Sequence, residues 1–241
     1  MRIQLHGYTG VGSRVENEDT GTYGQLGSNG LYAIVADGLG GHGGGRAASE
    51  IAVRALLQCQ NWETLPDKEK ICEWMGQANR EILSKRDGAN HMKTTVVFLA
   101  VFKGQAIWAH IGDSRLYYYY NGELVEATED HSICQVAVKL GEITRRQIPT
   151  HPDRSRLLKV LGDEVLEPEI HKAIVLAPGQ HAFLLCTDGL WERLQEDEIL
   201  LELHKANTPQ QWVDSLRCRA EKRKSTDVDN NTAVAVFVDV L

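Results

Sequence analysis

The chain has 241 residues, enough for one large domain or two small ones, and its 42% hydrophobic content supports a sizeable core. A formal charge of −7, from 26 basic and 33 acidic residues, leaves no global basic footprint for nucleic acid. The five cysteines (Cys59, Cys72, Cys134, Cys186 and Cys218) form no CxxC pair, which argues against a disulfide or zinc framework and for a reducing cytoplasm.

In chain order, residues 2–9 and 31–36 read as strands. The second, Leu31-Tyr32-Ala33-Ile34-Val35-Ala36, is a continuous apolar run, as expected of a strand buried on both faces. A glycine-rich turn over 38–45 leads into a helix over about 46–59, with Ile51, Ala52, Ala55 and Leu56 on one stripe. A second helix over about 67–86 carries Ile71, Trp74, Met75, Ala78 and Ile82 at helical spacing. The period then changes to that of strands over 94–102, 106–111, 115–120 and 124–126. Lys103-Gly104, Gly112-Asp113 and Asn121-Gly122 separate them, which predicts an antiparallel meander. Residues 130–162 are mixed and polar, with a short helix over about 131–140 and Pro149 and Pro152 beyond it; they read as an irregular insertion or flap. Strands return at 169–176 and 182–187, helices follow at about 196–205 and 209–222, and a strand at 232–240 ends the chain. With no repeat and no linker, one α+β domain over 1–241 is expected, a large antiparallel sheet system with helices packed outside it. No segment approaches the ~20 apolar residues of a membrane span, and the first residues lack a signal peptide's apolar core. A soluble, cytoplasmic monomer is expected, with no membrane or nucleic-acid partner.

Five short acidic motifs sit where β-prone runs begin or end. They are Arg14-Val15-Glu16-Asn17-Glu18-Asp19, Asp37-Gly38-Leu39-Gly40-Gly41-His42, Gly112-Asp113-Ser114-Arg115, Thr187-Asp188-Gly189-Leu190 and Asp229-Asn230-Asn231-Thr232. Strand-end carboxylates gathered from distant parts of a chain make an oxygen-rich site suited to Mg²⁺ or Mn²⁺. Asp37 ends a buried strand, and Gly38, lacking a side chain, lets its carbonyl approach a metal closely. Asp188 repeats the arrangement and Asp229 precedes the last strand. Arg14, just upstream of Glu18 and Asp19, has the guanidinium fork suited to a phosphate.

Blander readings stand beside these. Asp-Gly is usually a turn, the default for Asp87-Gly88 and for Asp163 after Gly162. Asp113 could cap a hairpin. Asp130-His131-Ser132 reads as a helix N-cap rather than a ligand set. His42 reads as structural and Asp227 as a solvated loop residue. Tyr117–Tyr120 alternate across a strand and are expected to pack. Cys186 ends an apolar run and reads as core rather than nucleophile.

In this order and spacing the motifs resemble those of the PPM-type metal-dependent protein Ser/Thr phosphatases, the protein phosphatase 2C family, in compact bacterial form. The resemblance runs from about residue 6 to 239. It implies a four-layer αββα sandwich, two antiparallel sheets flanked by helix pairs, with the metals at one edge. It further implies that Asp37 bridges two Mn²⁺ or Mg²⁺ ions and that the Gly38 carbonyl lies on the second. Asp188 and Asp229 complete the first, and Glu18 or Asp19 serves the second directly or through water. Arg14 holds the phosphate, and Asp113 helps bind a looser third metal. Residues 130–162 resemble the family's flap. The implied reaction is hydrolysis of phosphoserine and phosphothreonine by direct attack of metal-bound hydroxide. Its substrates would be phosphorylated proteins, and the enzyme would oppose a bacterial Ser/Thr protein kinase. Many eukaryotic members carry a His directly after Asp-Gly as the proposed general acid; here that position is Leu39, which leaves metal-bound water or solvent as the proton source. Two rival readings are a phosphoesterase of small phosphates and a catalytically dead binding module.

Overall fold

The computed structural model describes residues 1–40, 44–61, 63–86, 91–223 and 227–241, so His42 and Asp87-Gly88 lie outside the described residues. The chain opens with β1 (Arg2–Gly10), then β2 (Thr20–Leu26) and β3 (Gly30–Ala36), which pair as a hairpin. The two-residue β4 (Gly38–Leu39) leads to α1 (Gly44–Leu56), a 3₁₀ turn at Leu57–Asn61, and α2 (Lys68–Lys85). There follow β5 (Lys93–Thr94), β6 (Val96–Phe102), β7 (Gln105–Ile111), β8 (Arg115–Tyr120) and β9 (Glu123–Ala127). After α3 (Ile133–Lys139) and a 3₁₀ turn at Arg145–Thr150 come β10 (Glu169–Ile170), β11 (Ile174–Val175) and β12 (Gly179–Cys186). The last elements are α4 (Asp188–Trp191), α5 (Glu196–Lys205), α6 (Pro209–Lys222) and β13 (Asn231–Val240).

Two large antiparallel sheets result, beside the small β4-β5 pair. One runs β1-β13-β12-β8-β9 and the other β10-β7-β6-β3-β2, with β11 also on β7. Their facing sides share a core of Leu31, Val35, Leu99, Trp108, Phe183 and Val236. On one outer face α1 and α2 lay Ile51, Leu56, Ile71 and Met75 against Phe98. On the other, Trp212 and Leu216 of α6 pack on Tyr117, Leu184 and Phe237. Helix, sheet, sheet and helix make the four-layer αββα sandwich expected.

The element boundaries agree closely except where tertiary pairing decides. The predicted meander over 94–126 is instead two hairpins in different sheets: β6 pairs β7, β8 pairs β9, and β7 does not pair β8. Gly112-Asp113-Ser114 is therefore a crossover between sheets, not a hairpin turn. β2 is an addition to the predicted strands. The predicted strand at 169–176 is split, and both pieces, β10 and β11, pair β7. The tyrosines divide as alternation demands: Tyr117 and Tyr119 face the helix layer, and Tyr118 faces the core between the sheets.

Asp130 is not a helix cap. It accepts two 2.7 Å hydrogen bonds from the Arg115 guanidinium, and both side chains are buried. Ser132 caps α3, its hydroxyl accepting from the Gln135 N–H. The 130–162 segment is tied down at both ends, by bridges Ser132↔Leu157 and Thr94↔Leu161.

Candidate active site

Asp37 follows the last residue of β3, and its backbone is fixed from three sides. Its carbonyl accepts from the Thr95 N–H at 2.9 Å and the Thr94 hydroxyl at 2.7 Å, and its own N–H donates to Thr95 Oγ1 at 3.2 Å. The next residue has to be glycine. A Cβ on Gly38 would lie 2.2 Å from the Gly45 carbonyl oxygen and 2.6 Å from that of Glu18. At this crowded point the Glu18 loop, the strand end and the start of α1 meet, with the Glu18 backbone against Gly38.

The threonines of the motifs act as fasteners. The Thr187 hydroxyl donates to Asp19 Oδ2 at 2.9 Å and accepts from the Thr232 N–H at 2.9 Å. The Thr187 N–H in turn reaches the Thr232 carbonyl, and Thr232 shares a 2.8 Å hydroxyl contact with Thr9. Asp188, first residue of α4, is thereby set between β12 and β13. Asn230 pins the other side: its Oδ1 accepts from the Glu18 N–H, and its amide donates to the Val11 and Glu16 carbonyls. Sequence reasoning quoted Asn230, Thr187 and Thr232 only as neighbours of carboxylates; the motif spacing was the signal that they had work of their own.

Arg14 forks onto Asp229, Nε to Oδ1 at 3.0 Å and Nη2 to Oδ2 at 2.9 Å, with exposed Asp227 3.8 Å away. Asp113 is buried on the crossover. Its carbonyl accepts from Trp191 Nε1 at 3.0 Å, and the Arg115 guanidinium lies 3.5 Å over the Trp191 ring. Glu192 was missed by the sequence reading. It holds Arg154 of the 130–162 segment at 3.0 Å, and burial, then the negative Asp188, raises its carboxyl to about 7.

The electrostatics mark a site that asks for positive charge. Burial, then the negative Asp188, Asp19 and Asp113, pushes Asp37 well above the usual carboxylate range. Burial and then Asp188 do the same to Asp113. Burial lifts Asp19 to about 7 against the Thr232 and Thr187 hydroxyls, and burial followed by Asp229 lifts Asp188 to about 6. Asp37 and Asp188 lie close enough for each to shift the other's carboxyl. Oδ1 of Asp19 and Oδ1 of Asp188 are buried without a hydrogen-bond partner. Two buried carboxylate oxygens without donors, on Asp19 and Asp188, beside the raised Asp37 and Asp113, fit divalent cations as their missing partners.

Cys186 is buried in the helix-side core, and burial raises its thiol to about 12, the environment of an inert thiol.

The sequence model of the protein phosphatase 2C family matches residues 7–225. The Listeria monocytogenes serine/threonine phosphatase stp is 33% identical over 235 residues, spanning 94% of this chain and 92% of its own. The crystal structure of the Mycobacterium tuberculosis serine/threonine phosphatase PstP/Ppp superposes with a TM-score of 0.86 at 28% identity, covering 99% of both chains. The catalytic domain of PstP in complex with two manganese ions gives a TM-score of 0.84 at 26% identity, covering 98% of this chain and 99% of that one. A family match over residues 7–225, on a sandwich of two large antiparallel sheets, establishes that this chain belongs to the protein phosphatase 2C family.

Proposed function

We propose that this chain is a metal-dependent protein phosphatase that hydrolyses phosphoserine and phosphothreonine and opposes a bacterial Ser/Thr protein kinase in the cytoplasm. The observation that carries the reading is the gathering of Asp19, Asp37, Asp113 and Asp188, with burial and mutual repulsion raising every one of them. Such a cluster is costly to fold and has a use only when cations neutralise it. When bound, two Mn²⁺ or Mg²⁺ ions supply a water of lowered pKa and neutralise charge on the phosphoryl oxygens.

The chain's own residues do the rest. Asp37 and the Gly38 carbonyl, with Asp188, Asp229 and either Glu18 or Asp19, would hold the ions and fix their separation. Asp113 would hold a third, looser one. Arg14, now forked on Asp229, has the geometry to transfer its fork to a phosphoryl group once Asp229 turns to a cation. Leu39 cannot donate a proton to the leaving serine or threonine oxygen, so that proton reaches it from water.

The test is phosphate release from a phosphothreonine peptide with Mn²⁺, with EDTA and with Asp37→Asn. Turnover that needs Mn²⁺ and vanishes in both other arms is expected. Turnover of small phosphate esters alone would favour a general phosphoesterase. No turnover of either, with the peptide still bound, would make the chain a binding module.

A further inference from the structure

A second cluster lies outside the carboxylate site. His110, near the end of β7, is fully buried and follows the apolar run Ala106–Ala109. His131 precedes α3 at the start of the flap segment, and Glu169 opens β10 beyond its end. Each of the three offers one ligand atom, and these atoms all lie within 4.8 Å of one another. Among the described residues, this is the one set of three His, Cys, Asp or Glu groups to converge so closely.

The surroundings suit a cation bound through imidazole. His110 Nε2 lies 2.8 Å from the Glu129 carbonyl, to which only an N–H can bond, so Nδ1 keeps its lone pair. That Nδ1 is buried and has no hydrogen-bond partner. A histidine whose outer nitrogen donates to a backbone carbonyl is already oriented as a metal ligand. Burial, then the neighbouring His131, holds the His110 ring neutral down to about 4. Glu169 is approached from two sides, its Oε2 by His131 Nε2 at 3.6 Å and its Oε1 by His171 Nε2 at 3.4 Å. His171 Nδ1 in turn contacts Glu126 Oε1 at 2.6 Å.

We propose that His110, His131 and Glu169 form a binding site for an imidazole-preferring divalent cation of the Zn²⁺ class, separate from the carboxylate centre. Two imidazoles and one carboxylate favour Zn²⁺, Co²⁺ or Ni²⁺ over Mg²⁺. His171, braced by Glu126, stands beside Glu169 as the nearest candidate for a fourth ligand, the alternative being water. His110 and His131 now stack with planes 9° apart, so one ring turns when both lone pairs meet one ion. Ligation through His131 Nε2 also shifts that ring's proton to Nδ1, which now accepts from the Gly112 N–H at 3.2 Å. Ion binding therefore loosens the crossover carrying Asp113, and it clasps both ends of the flap to β7. The proposal stands whether or not the chain is a phosphatase.

The test compares the wild-type protein with Glu169→Gln and His110→Asn after dialysis against micromolar Zn²⁺ in millimolar Mg²⁺. Glu169 is half exposed, so its variant folds even if the buried His110 substitution does not. Zn²⁺ taken up by the carboxylate centre is common to all three and cancels. The expected result is one equivalent more Zn²⁺ in the wild type than in either variant. Co²⁺ in place of Zn²⁺ should give visible absorption bands that Glu169→Gln loses. Equal Zn²⁺ in wild type and Glu169→Gln overturns the proposal and leaves the cluster as ion pairs and stacked rings.

Discussion

At the scale of single residues, the site depends on which charge faces which. Arg14 illustrates this: its sequence context suggested a phosphate clamp, and the structure shows its fork on Asp229. Arg14→Ala removes a contact worth about 1.5–3 kcal/mol to a bound phosphoryl group, so KM for a phosphopeptide should rise tenfold or more. It also frees Asp229, so calorimetric titration with Mn²⁺ should show affinity unchanged or higher. A fall in Mn²⁺ affinity equal to that of Asp37→Asn would mean that Arg14 builds the acidic cluster rather than serving the substrate. Asp113 is the second case. Because it stands on a crossover and not in a hairpin, the turn-capping reading loses its basis. Asp113→Asn keeps the shape and should cut kcat on phosphoserine peptides far more than on p-nitrophenyl phosphate, whose leaving group needs little protonation. Equal slowing of both substrates, with a sharp drop in Tm, would return Asp113 to a structural role.

At the scale of elements, what could be read in the sequence followed from local chemistry. α5 and α6 were legible to the residue. α6 shows why, with Thr208 as N-cap, Pro209 at its first position and an apolar stripe through Trp212, Val213 and Leu216. β3 was legible because no other element tolerates six consecutive apolar residues so briefly. β2 was not: Thr20-Gly21-Thr22-Tyr23-Gly24 carries two glycines and alternates exposed with partly buried positions, and only its pairing with β3 makes it a strand. The crossover at Gly112 looked like a hairpin because a turn signal cannot say which sheet the next strand joins. The five carboxylate motifs were legible as a set, whereas the His110, His131, Glu169 cluster was not, because its members share no motif and meet only through β7 and β10. Its one local sign is a histidine inside Ile107-Trp108-Ala109-His110-Ile111. The Arg115–Asp130 pair, which fastens β8 to the start of the 130–162 segment, was also hidden. Arg115→Ala leaves Asp130 buried and unpaired, at a cost of about 3–5 kcal/mol. Urea unfolding measures this, and a loss below 1 kcal/mol would show that water replaces the guanidinium.

At the scale of the whole molecule, folding without cations must crowd acids that would otherwise repel, so stability and metal binding are linked through pH. Asp19 is raised to about 7 and Asp188 to about 6, from an ordinary value near 4. A raised acid binds more protons folded than unfolded, so its unfavourable contribution is absent below about pH 4 and grows until about pH 7. His110 works the other way: it is held neutral to about 4, so its contribution improves as pH rises from 4 to about 6.5. The two slopes overlap in the wild type, and a difference measurement separates them. Metal-free Asp188→Asn should gain stability relative to wild type between pH 5 and pH 8, because it lacks one acid that must ionise at the crowded site. Mn²⁺ binds the ionised carboxylates, so saturating Mn²⁺ should raise the wild-type Tm more at pH 8 than at pH 5. The same addition should barely move Asp188→Asn. If metal-free Asp188→Asn instead tracks the wild type in parallel across that range, the carboxylates are not crowded as described. The cation requirement derived from their repulsion then fails with them.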